Sequence, residues 1–188
     1  MAAVLVEYLD DVEPLTFEEV AIQCRIDDED EREFVENIVI PGARQAAERK
    51  SGAAIRKARY VERLAGFPAG EFSLSVGQVL GVDSIEARDA TGPASTLDPS
   101  GYEVVQLGRE TLCAPLGAAR WPHASVVTIT YRAGIDIDKH PSVRSWMLLA
   151  AAWAYDHREL FSEGQAVAQM PDGYSDLLLD SITVPPRF

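Results

Sequence analysis

The sequence predicts an α+β fold that is mainly a helical bundle, with a β-rich insertion between the second and third main helices and an extended C-terminal tail. Three observations lead to this prediction. Apolar residues recur at helical spacing over residues 15–52 and again from Pro141 onward. Between these stretches the spacing changes to the alternation that is typical of strands. Two adjacent prolines near the end of the chain then exclude a helix there.

These boundaries divide a single protomer of 188 residues, a length that suits one domain with appendages. The predicted helical bundle comprises residues 15–52 and 141–183. The β-rich insertion comprises residues 53–134, and the tail comprises residues 184–188.

The first two helices are predicted from their N-terminal ends. Thr16 and Glu19 have the spacing of a capping box, so the first helix begins after Thr16 and runs to about Arg25. A longer helix follows the acidic residues 27–31, because carboxylates stabilise the N-terminal end of a helix. It is predicted to reach Gly52, with a kink or a break at the interior Pro41-Gly42.

The insertion is predicted to consist of strands separated by turns rich in Gly, Pro and Asp. Strict alternation of apolar and polar residues predicts strands over residues 71–76 and 127–131. Weaker patterns predict further strands over residues 55–64, 79–88 and 102–107.

The third main helix begins at Pro141, which is favourable in the first turn, and carries an apolar stripe that includes Trp146 and Trp153. Its apolar pattern predicts that it extends to Gly164. A last short helical piece follows Pro171, and the proline-containing tail closes the chain.

Composition excludes several classes of protein. Hydrophobic residues make up 47% of the chain, so it is expected to fold and not to be disordered throughout. No apolar run reaches the roughly 18 residues that a membrane-spanning helix needs. The first residues contain no basic group before their apolar stretch, so no secretory signal is expected. Cys24 and Cys113 lack metal or disulfide spacing, which fits a reducing compartment.

The net charge of −13 is unevenly distributed. Residues 1–33 contain twelve carboxylates and two arginines, whereas residues 44–63 contain seven basic residues and two carboxylates. Proteins that grip DNA neutralise its phosphates with Lys and Arg, so tight binding to nucleic acid is not expected. The charge distribution instead favours contacts between oppositely charged surfaces of different chains.

No catalytic motif is recognisable in the sequence. Phosphate-binding glycine loops, nucleophile elbows and zinc-protease motifs are absent from it. Asp136, Asp138 and His140 stand at alternating positions, which an extended segment would project to one side as metal ligands. The competing interpretation is a polar loop before the third main helix. His157, on the apolar stripe, is expected to be a packed histidine bonded to a neighbour.

A series of segments, in the same order, resembles the head-tail connector proteins of tailed bacteriophages, the adaptor or head-completion family. LTFEEVAIQCRI followed by DDED (residues 15–30) and ARQAAERKSG (residues 43–52) resemble the opening of these proteins. Four later segments continue the resemblance: LDPSGY (residues 97–102), VTITYRAG (residues 127–134), LLAAAW to DHRE (residues 148–159) and VPPRF (residues 184–188). Gene transfer agents, which are domesticated phage-like particles, use similar adaptors. Pro41-Gly42 departs from the family's usually uninterrupted second helix.

The resemblance implies a structural virion protein that is not an enzyme and needs no cofactor. In that family about twelve copies form a ring beneath the portal protein, as head-to-tail contacts between identical chains allow. The ring joins the portal to a stopper or tail-side protein, and DNA passes through its lumen without specific binding. The implied location is the head-tail interface, or neck, of a virion assembled in the host cytoplasm, without a membrane partner.

The resemblance and the charge pattern together assign three candidate surfaces. The family's C-terminal segment often reaches toward the portal, which implies a portal-binding tail at Val184, Pro185, Pro186, Arg187 and Phe188. The acidic set, expected to face the lumen or a neighbouring protomer, is Asp27, Asp28, Glu29, Asp30 and Glu31. The basic set, expected to meet a neighbour's acidic surface, is Arg44, Arg49, Lys50, Arg56, Lys57 and Arg59.

Two other functions stay open at the level of sequence. The first is a small metal-dependent hydrolase that uses Asp136, Asp138 and His140. The second is an acidic mimic of DNA that inhibits a DNA-handling protein, which the net charge alone suggests.

Overall fold

The structure is a computed structural model that describes residues 3–90, 92–158 and 172–185. The chain divides into two compact units. The β unit comprises Met1–Asp11, Gly52–Ile135 and Ile182–Phe188, and the helical unit comprises Val12–Ser51 and Asp136–Ser181.

The larger sheet of the β unit has five antiparallel strands in the order β1-β2-β8-β4-β5. The strands are β1 (Val4–Tyr8), β2 (Ala58–Leu64), β4 (Val79–Arg88), β5 (Ser95–Thr96) and β8 (Val126–Ala133). Side chains of β8 alternate between buried and partly exposed, which explains the strict alternation of its sequence.

The smaller sheet has three antiparallel strands in the order β3-β7-β6. They are β3 (Phe72–Ser73), β6 (Tyr102–Leu107) and β7 (Glu110–Pro115). Leu74, Tyr102 and Cys113 from this part of the chain join Ile129 and Tyr131 of β8 in one buried cluster. The two sheets therefore share a core.

The helical unit begins with α1 (Phe17–Cys24), where the predicted capping box is confirmed. The Thr16 backbone N–H donates to Glu19 Oε2 at 2.8 Å, and the Glu19 backbone N–H donates to Thr16 Oγ1 at 3.3 Å. Arg25 then ends the helix in the left-handed conformation, with its N–H bonded to the Ala21 carbonyl.

The second helical stretch is unbroken but changes its hydrogen-bonding pattern. A 3₁₀ turn (Glu29–Glu31) leads into α2 (Arg32–Phe34), a π-helical segment (Val35–Val39) and α3 (Ile40–Ser51). The N–H of Ile40 bonds to the carbonyl of Val35, five residues earlier. Proline clashes with the preceding turn of a regular helix, and the wider π turn directly before Pro41 relieves that clash. Of the two predicted alternatives at Pro41-Gly42, the break is wrong, because α3 continues through both residues, and the helix is distorted directly before them as a π segment.

Helix α4 (Pro141–Asp156) contacts α1, α3 and α5 (Asp172–Leu179), and it buries Val143, Trp146, Met147 and Ala151. It ends earlier than Gly164, the end that the apolar stripe predicts. His157 leaves helical geometry at φ −117° and ψ 57°, and its ring stacks on Trp153 at 4.8 Å between ring centres. Its Nδ1 also lies 2.8 Å from the Trp153 carbonyl, so the expected neighbour-bonded histidine is confirmed.

The predicted fold class needs correction. The α+β class holds, but the chain is a mixed α+β fold with two antiparallel sheets, and it is not mainly a helical bundle. The prediction overestimated the helical part because it extended α4 beyond Asp156 and left β1, β5 and β7 unassigned. No helix in the described ranges is long and apolar enough to span a bilayer.

Candidate functional site

The larger sheet has two edges at which no described strand covers the outer side. Strand β1 forms one edge, and Val4 and Val6 on it are 65% and 54% exposed. On the opposite side, β5 pairs with β4 only at Glu86 and Ala87, so no described strand covers the outer side of β4 before that point. Leu80 in this open part of β4 is 54% exposed. Exposed, apolar strand edges are sites at which another strand can pair.

The predicted acidic set lies at the start of the second helical stretch. Asp28 caps the 3₁₀ turn by accepting a hydrogen bond from the backbone N–H of Asp30 at 2.9 Å. Glu29 pairs with Arg32 at 2.9 Å and Glu31 pairs with Arg158 at 2.6 Å. Asp27 and Asp30 are exposed, and neither forms an ion pair with a described residue.

Two arginines hold this acidic segment in place within the helical unit. Arg32 also binds Glu18 of α1 at 3.0 Å and lies over the ring of Phe17 at 4.0 Å. Hydrogen bonds to Glu29 and Glu18 raise the pKa of Arg32 above its ordinary value. Glu29 and Glu31 are therefore each engaged in an ion pair within the protomer, and Arg32 shares its charge among Glu18, Glu29 and Glu36.

Arg44, the first member of the predicted basic set, is buried. Its guanidinium is 2% exposed and binds both oxygens of Glu13, from Nε at 2.7 Å and from Nη2 at 3.1 Å. Nη1 binds Glu48 at 2.9 Å. The charge of Arg44 is thus satisfied within the helical unit and does not reach a surface.

Three other members of the basic set are also paired within their own unit. Arg56 binds Asp10 and lies over the ring of Tyr8 at 4.1 Å. Arg59 binds Glu7 and Asp83, and Lys50 binds Asp176 at 2.6 Å. Arg49 and Lys57 are exposed.

The predicted tail begins as a packed segment. Ile182, two residues before the tail, is buried, and a Cβ placed on Gly77 would lie 2.5 Å from Val184 Cγ2. Gly77 therefore has no room for a side chain, and Val184 is fastened to the β unit. Pro186, Arg187 and Phe188 lie outside the described residues.

The three candidate metal ligands are not gathered into a site. Ile137–Lys139 forms a 3₁₀ turn, so the alternation of an extended segment does not apply to residues 136–140. Asp136 pairs with Lys139 at 3.1 Å, and Asp138 pairs with Arg144. Within the described part of the chain no group of His, Cys, Asp and Glu side chains is arranged to hold a metal ion.

An aromatic cluster at the loops of the β unit was not predicted from the sequence. Phe67 stacks on Trp121 with ring centres 4.6 Å apart, and Trp121 Nε1 donates to the Gly70 carbonyl at 2.7 Å. A cleft of about 670 Å³ lies between residues 65–69 and 120–124. The available signal was the pair of Gly- and Pro-containing loops, each with an aromatic residue, but their approach depends on tertiary structure.

The two thiols occupy different environments. Burial raises the pKa of Cys113 to about 12, and burial also raises the pKa of the partly exposed Cys24. Neither thiol has the depressed pKa of a catalytic nucleophile.

Solved structures share this architecture along the whole chain. The first similar chain comes from the "Neck of empty GTA particle computed with C6 symmetry", with a TM-score of 0.77. A second comes from the "Virion of native gene transfer agent (GTA) particle", with a TM-score of 0.72, and a third from the "Neck of native GTA particle computed with C12 symmetry", with a TM-score of 0.69. Each is 19% identical and covers 100% of this chain and 98% of the other.

This chain has the fold of a protein in gene transfer agent particles. The resemblance to phage-like connectors, including gene transfer agent counterparts, is confirmed at the level of the fold. No family model and no curated protein matches the sequence. At 19% identity the likeness establishes architecture, and function has to be argued from the surfaces.

Proposed function

We propose that this chain is a structural protein of the neck of a phage-like particle, where it forms a ring that joins the portal to a stopper or tail-side protein. The observation that carries the proposal is the full-length similarity to chains of two gene transfer agent neck structures. Those necks were computed with C6 and C12 symmetry, which supports a cyclic arrangement of identical chains, with twelve copies as the proposed number.

A non-enzymatic role agrees with the surfaces described above. The candidate ligands Asp136 and Asp138 are engaged in ion pairs, and the described thiols have raised pKa values. In this proposal the chain acts through contacts with other chains, in the virion neck, after assembly in the host cytoplasm.

Only some residues of the basic set are available for the proposed charge contact between neighbouring copies. Arg44, Lys50, Arg56 and Arg59 already have carboxylate partners within the chain. Arg49 and Lys57 are the remaining members of the basic set, and we propose that they meet acidic groups of an adjacent copy. Exposed ion pairs are screened by salt, so molar salt should weaken the ring, and unchanged assembly would contradict this contact.

The proposed lining of the lumen likewise narrows to Asp27 and Asp30. Both are exposed, whereas Glu29 and Glu31 form ion pairs with arginines of the same chain. Carboxylates that repel phosphate would let DNA pass without binding. Exchanging Asp27 and Asp30 for lysine should slow DNA release from particles. The matched control exchanges the exposed Glu71 and Glu103 of the β unit for lysine. Equal rates of DNA release from the two variants would contradict the proposed lining.

For the tail, we propose that Val184 fixes the segment to its own protomer and that residues 186–188 reach the portal. An aromatic anchor at an interface commonly contributes about 2 kcal/mol or more. Deleting residues 186–188 should therefore weaken portal attachment and leave the midpoint of thermal unfolding unchanged. Undiminished attachment would contradict the role.

Imaging and mass measurement of the full chain, alone and with the portal protein of the same genome, test the proposed function. The expected result is a closed ring of identical copies seated on the portal. A chain that neither forms a ring nor binds the portal would overturn the proposal. An acidic DNA mimic would instead bind a DNA-handling protein without forming a ring.

A further inference from the structure

The two open edges of the larger sheet match each other in strand direction. From β1 to β2, β8 and β4 each neighbour is antiparallel, so β1 and β4 run in opposite directions. When a rotation places β1 of one copy beside β4 of the next, the two strands are therefore antiparallel, and the alternation continues across the junction. A cyclic ring requires such a contact between two different surfaces of the same protein.

The two edges also match in length and in their position along the strand direction. Following the pairing across the sheet, Tyr8 shares a row with Ala58, Ala133 and Val79. Val4 shares a row with Val61, Thr130 and Ser84. The five residues of β1 thus occupy the rows of residues 79–84 of β4, the part that β5 leaves open.

Strand β5 pairs with β4 at Glu86 and Ala87, and the N–H of Leu97, which follows β5, donates to the Ile85 carbonyl at 2.8 Å, so the open part of β4 ends at Ser84. In a ring whose axis is parallel to the strands, β1 of the next copy would lie beside residues 79–84 of β4. It would follow β5 along the same edge of β4. The part of the β4 edge that β5 leaves uncovered therefore matches the length of the short strand β1 on the opposite edge of the sheet.

The side chains on these rows are complementary as well. Leu5 shares its row with Val82, and Val4, Val6 and Leu80 are exposed apolar residues that the junction would cover. Glu7 shares its row with Gly81, where a Cβ would lie 3.3 Å from Arg132 Nη2. Within the protomer Glu7 pairs with Arg59 and Arg132 pairs with Asp83, so a neighbour's Glu7 would extend this row of paired charges past Gly81.

Both edge strands contain irregularities in pairing. Strand β1 has one, between Leu5 and Glu7. Strand β4 has two, the first between Val79 and Gly81 and the second between Val82 and Ser84. Bulges increase the local twist and bend of a strand, which a sheet needs when it closes on itself. With four strands per copy at about 4.8 Å spacing, twelve copies give a circumference of about 230 Å and a diameter of about 70 Å. Such a ring is hollow.

We infer that the larger sheet continues from one copy of this chain to the next, with β1 of each copy paired to residues 79–84 of its neighbour. The inference rests on the proposed ring and adds the surface that closes it. In this arrangement β6, an edge strand of the smaller sheet, does not pair with a neighbouring copy.

Disulfide trapping in purified particles tests the inference. Leu5→Cys combined with Val82→Cys places two thiols on one row, where antiparallel strands hold Cα atoms about 4.5 to 5.5 Å apart, within the range that a disulfide needs. The expected result is a ladder of linked copies on a non-reducing gel, at least ten-fold stronger than in either single variant. The matched control pairs Leu5→Cys with Val105→Cys on the exposed edge β6 and should give no ladder.

The outcomes separate the inference from the proposed function. If particles contain the double variant but its ladder is no stronger than that of the control, the shared sheet is wrong and the neck role stands. If unmodified particles lack this chain altogether, the proposed function fails and the inference fails with it. A reconstruction of the unmodified neck gives a second measurement: β1 lies within strand-pairing distance of a neighbour's β4, or the inference is overturned.

Discussion

Arg44 and Glu13 form a two-pronged ion pair inside the helical unit, with Nε to Oε2 at 2.7 Å and Nη2 to Oε1 at 3.1 Å. The pair fastens the chain before α1 to helix α3, and Glu48 binds the same guanidinium. A charged side chain on α3 that appeared suited to a partner chain is thus a structural element of the protomer.

Replacing Arg44 with alanine should lower the free energy of unfolding by about 3 to 5 kcal/mol, because Glu13 and Glu48 would remain shielded from water without their cation. Denaturant unfolding followed by circular dichroism measures the change. Arg49→Ala on the exposed face of the same helix is the matched control and should change stability by less than about 0.5 kcal/mol. Equal effects of the two substitutions would show that the buried pair contributes nothing.

A second prediction concerns Glu62, a carboxylate that is 3% exposed in β2. It accepts hydrogen bonds from the Ser75 backbone N–H at 2.9 Å and from the Tyr131 hydroxyl at 3.2 Å. Glu62→Ala leaves these buried donors without an acceptor and should cost about 2 to 4 kcal/mol of unfolding free energy. Glu62→Gln retains one acceptor oxygen and should cost less. A loss for glutamine as large as that for alanine would contradict the hydrogen-bonding role.

The two thiols should differ in reactivity. The thiolate is the reactive form, and burial raises the pKa of Cys113 to about 12, so Cys113 should resist alkylation at pH 8 in the folded protein. Cys24, which is only partly buried, should react more slowly than a free thiol but faster than Cys113. Mass spectrometry after timed labelling distinguishes the two, and equal rates before unfolding would contradict the burial of Cys113.

The raised pKa of Cys113 also predicts a dependence of stability on pH. Burial raises the pKa of the Cys113 thiol from its ordinary value of 9.0 to about 12. The folded protein therefore holds this proton more tightly than the unfolded chain does. Its contribution is complete below pH 9 and is lost as the pH rises toward 12. Cys113→Ala should therefore flatten the decline in stability above pH 9, and an identical decline in both proteins would contradict the assignment.

Gly134 is predicted to tolerate no side chain. Its φ is +151°, and a Cβ at this position would lie 2.6 Å from Lys57 Cα. Gly134→Ala should cost about 2 to 4 kcal/mol, from backbone strain together with the clash. Gly70→Ala is the matched control, since nothing lies within 4 Å of its added Cβ, and should change stability by less than about 1 kcal/mol. Thermal unfolding of both variants provides the comparison.

Elements fixed by local chemistry could be predicted from the sequence. The capping box of Thr16 and Glu19 involves residues three apart, and both hydrogen bonds are present. Strands β4 and β6 have the predicted bounds because turn residues flank them on each side. In contrast, β1 has consecutive apolar residues without alternation, and its strand conformation depends on pairing with β2, far along the chain.

The candidate surfaces were harder to predict for the same reason. Charge counting grouped Arg44 with Arg49, but only the fold shows that Glu13 reaches the first and leaves the second exposed. The open edges of the larger sheet could not be recognised without the strand order, since β1 and β4 become edges only through the placement of β2 and β8.

The most direct test of the proposed neck role is to make phage-like particles from the same genome with and without this chain and to count tailed particles by electron microscopy. The neck role predicts that particles lacking the chain have heads without attached tails, and that supplying the full chain restores attachment. Particles that seal their heads and attach tails normally in its absence would contradict the central claim.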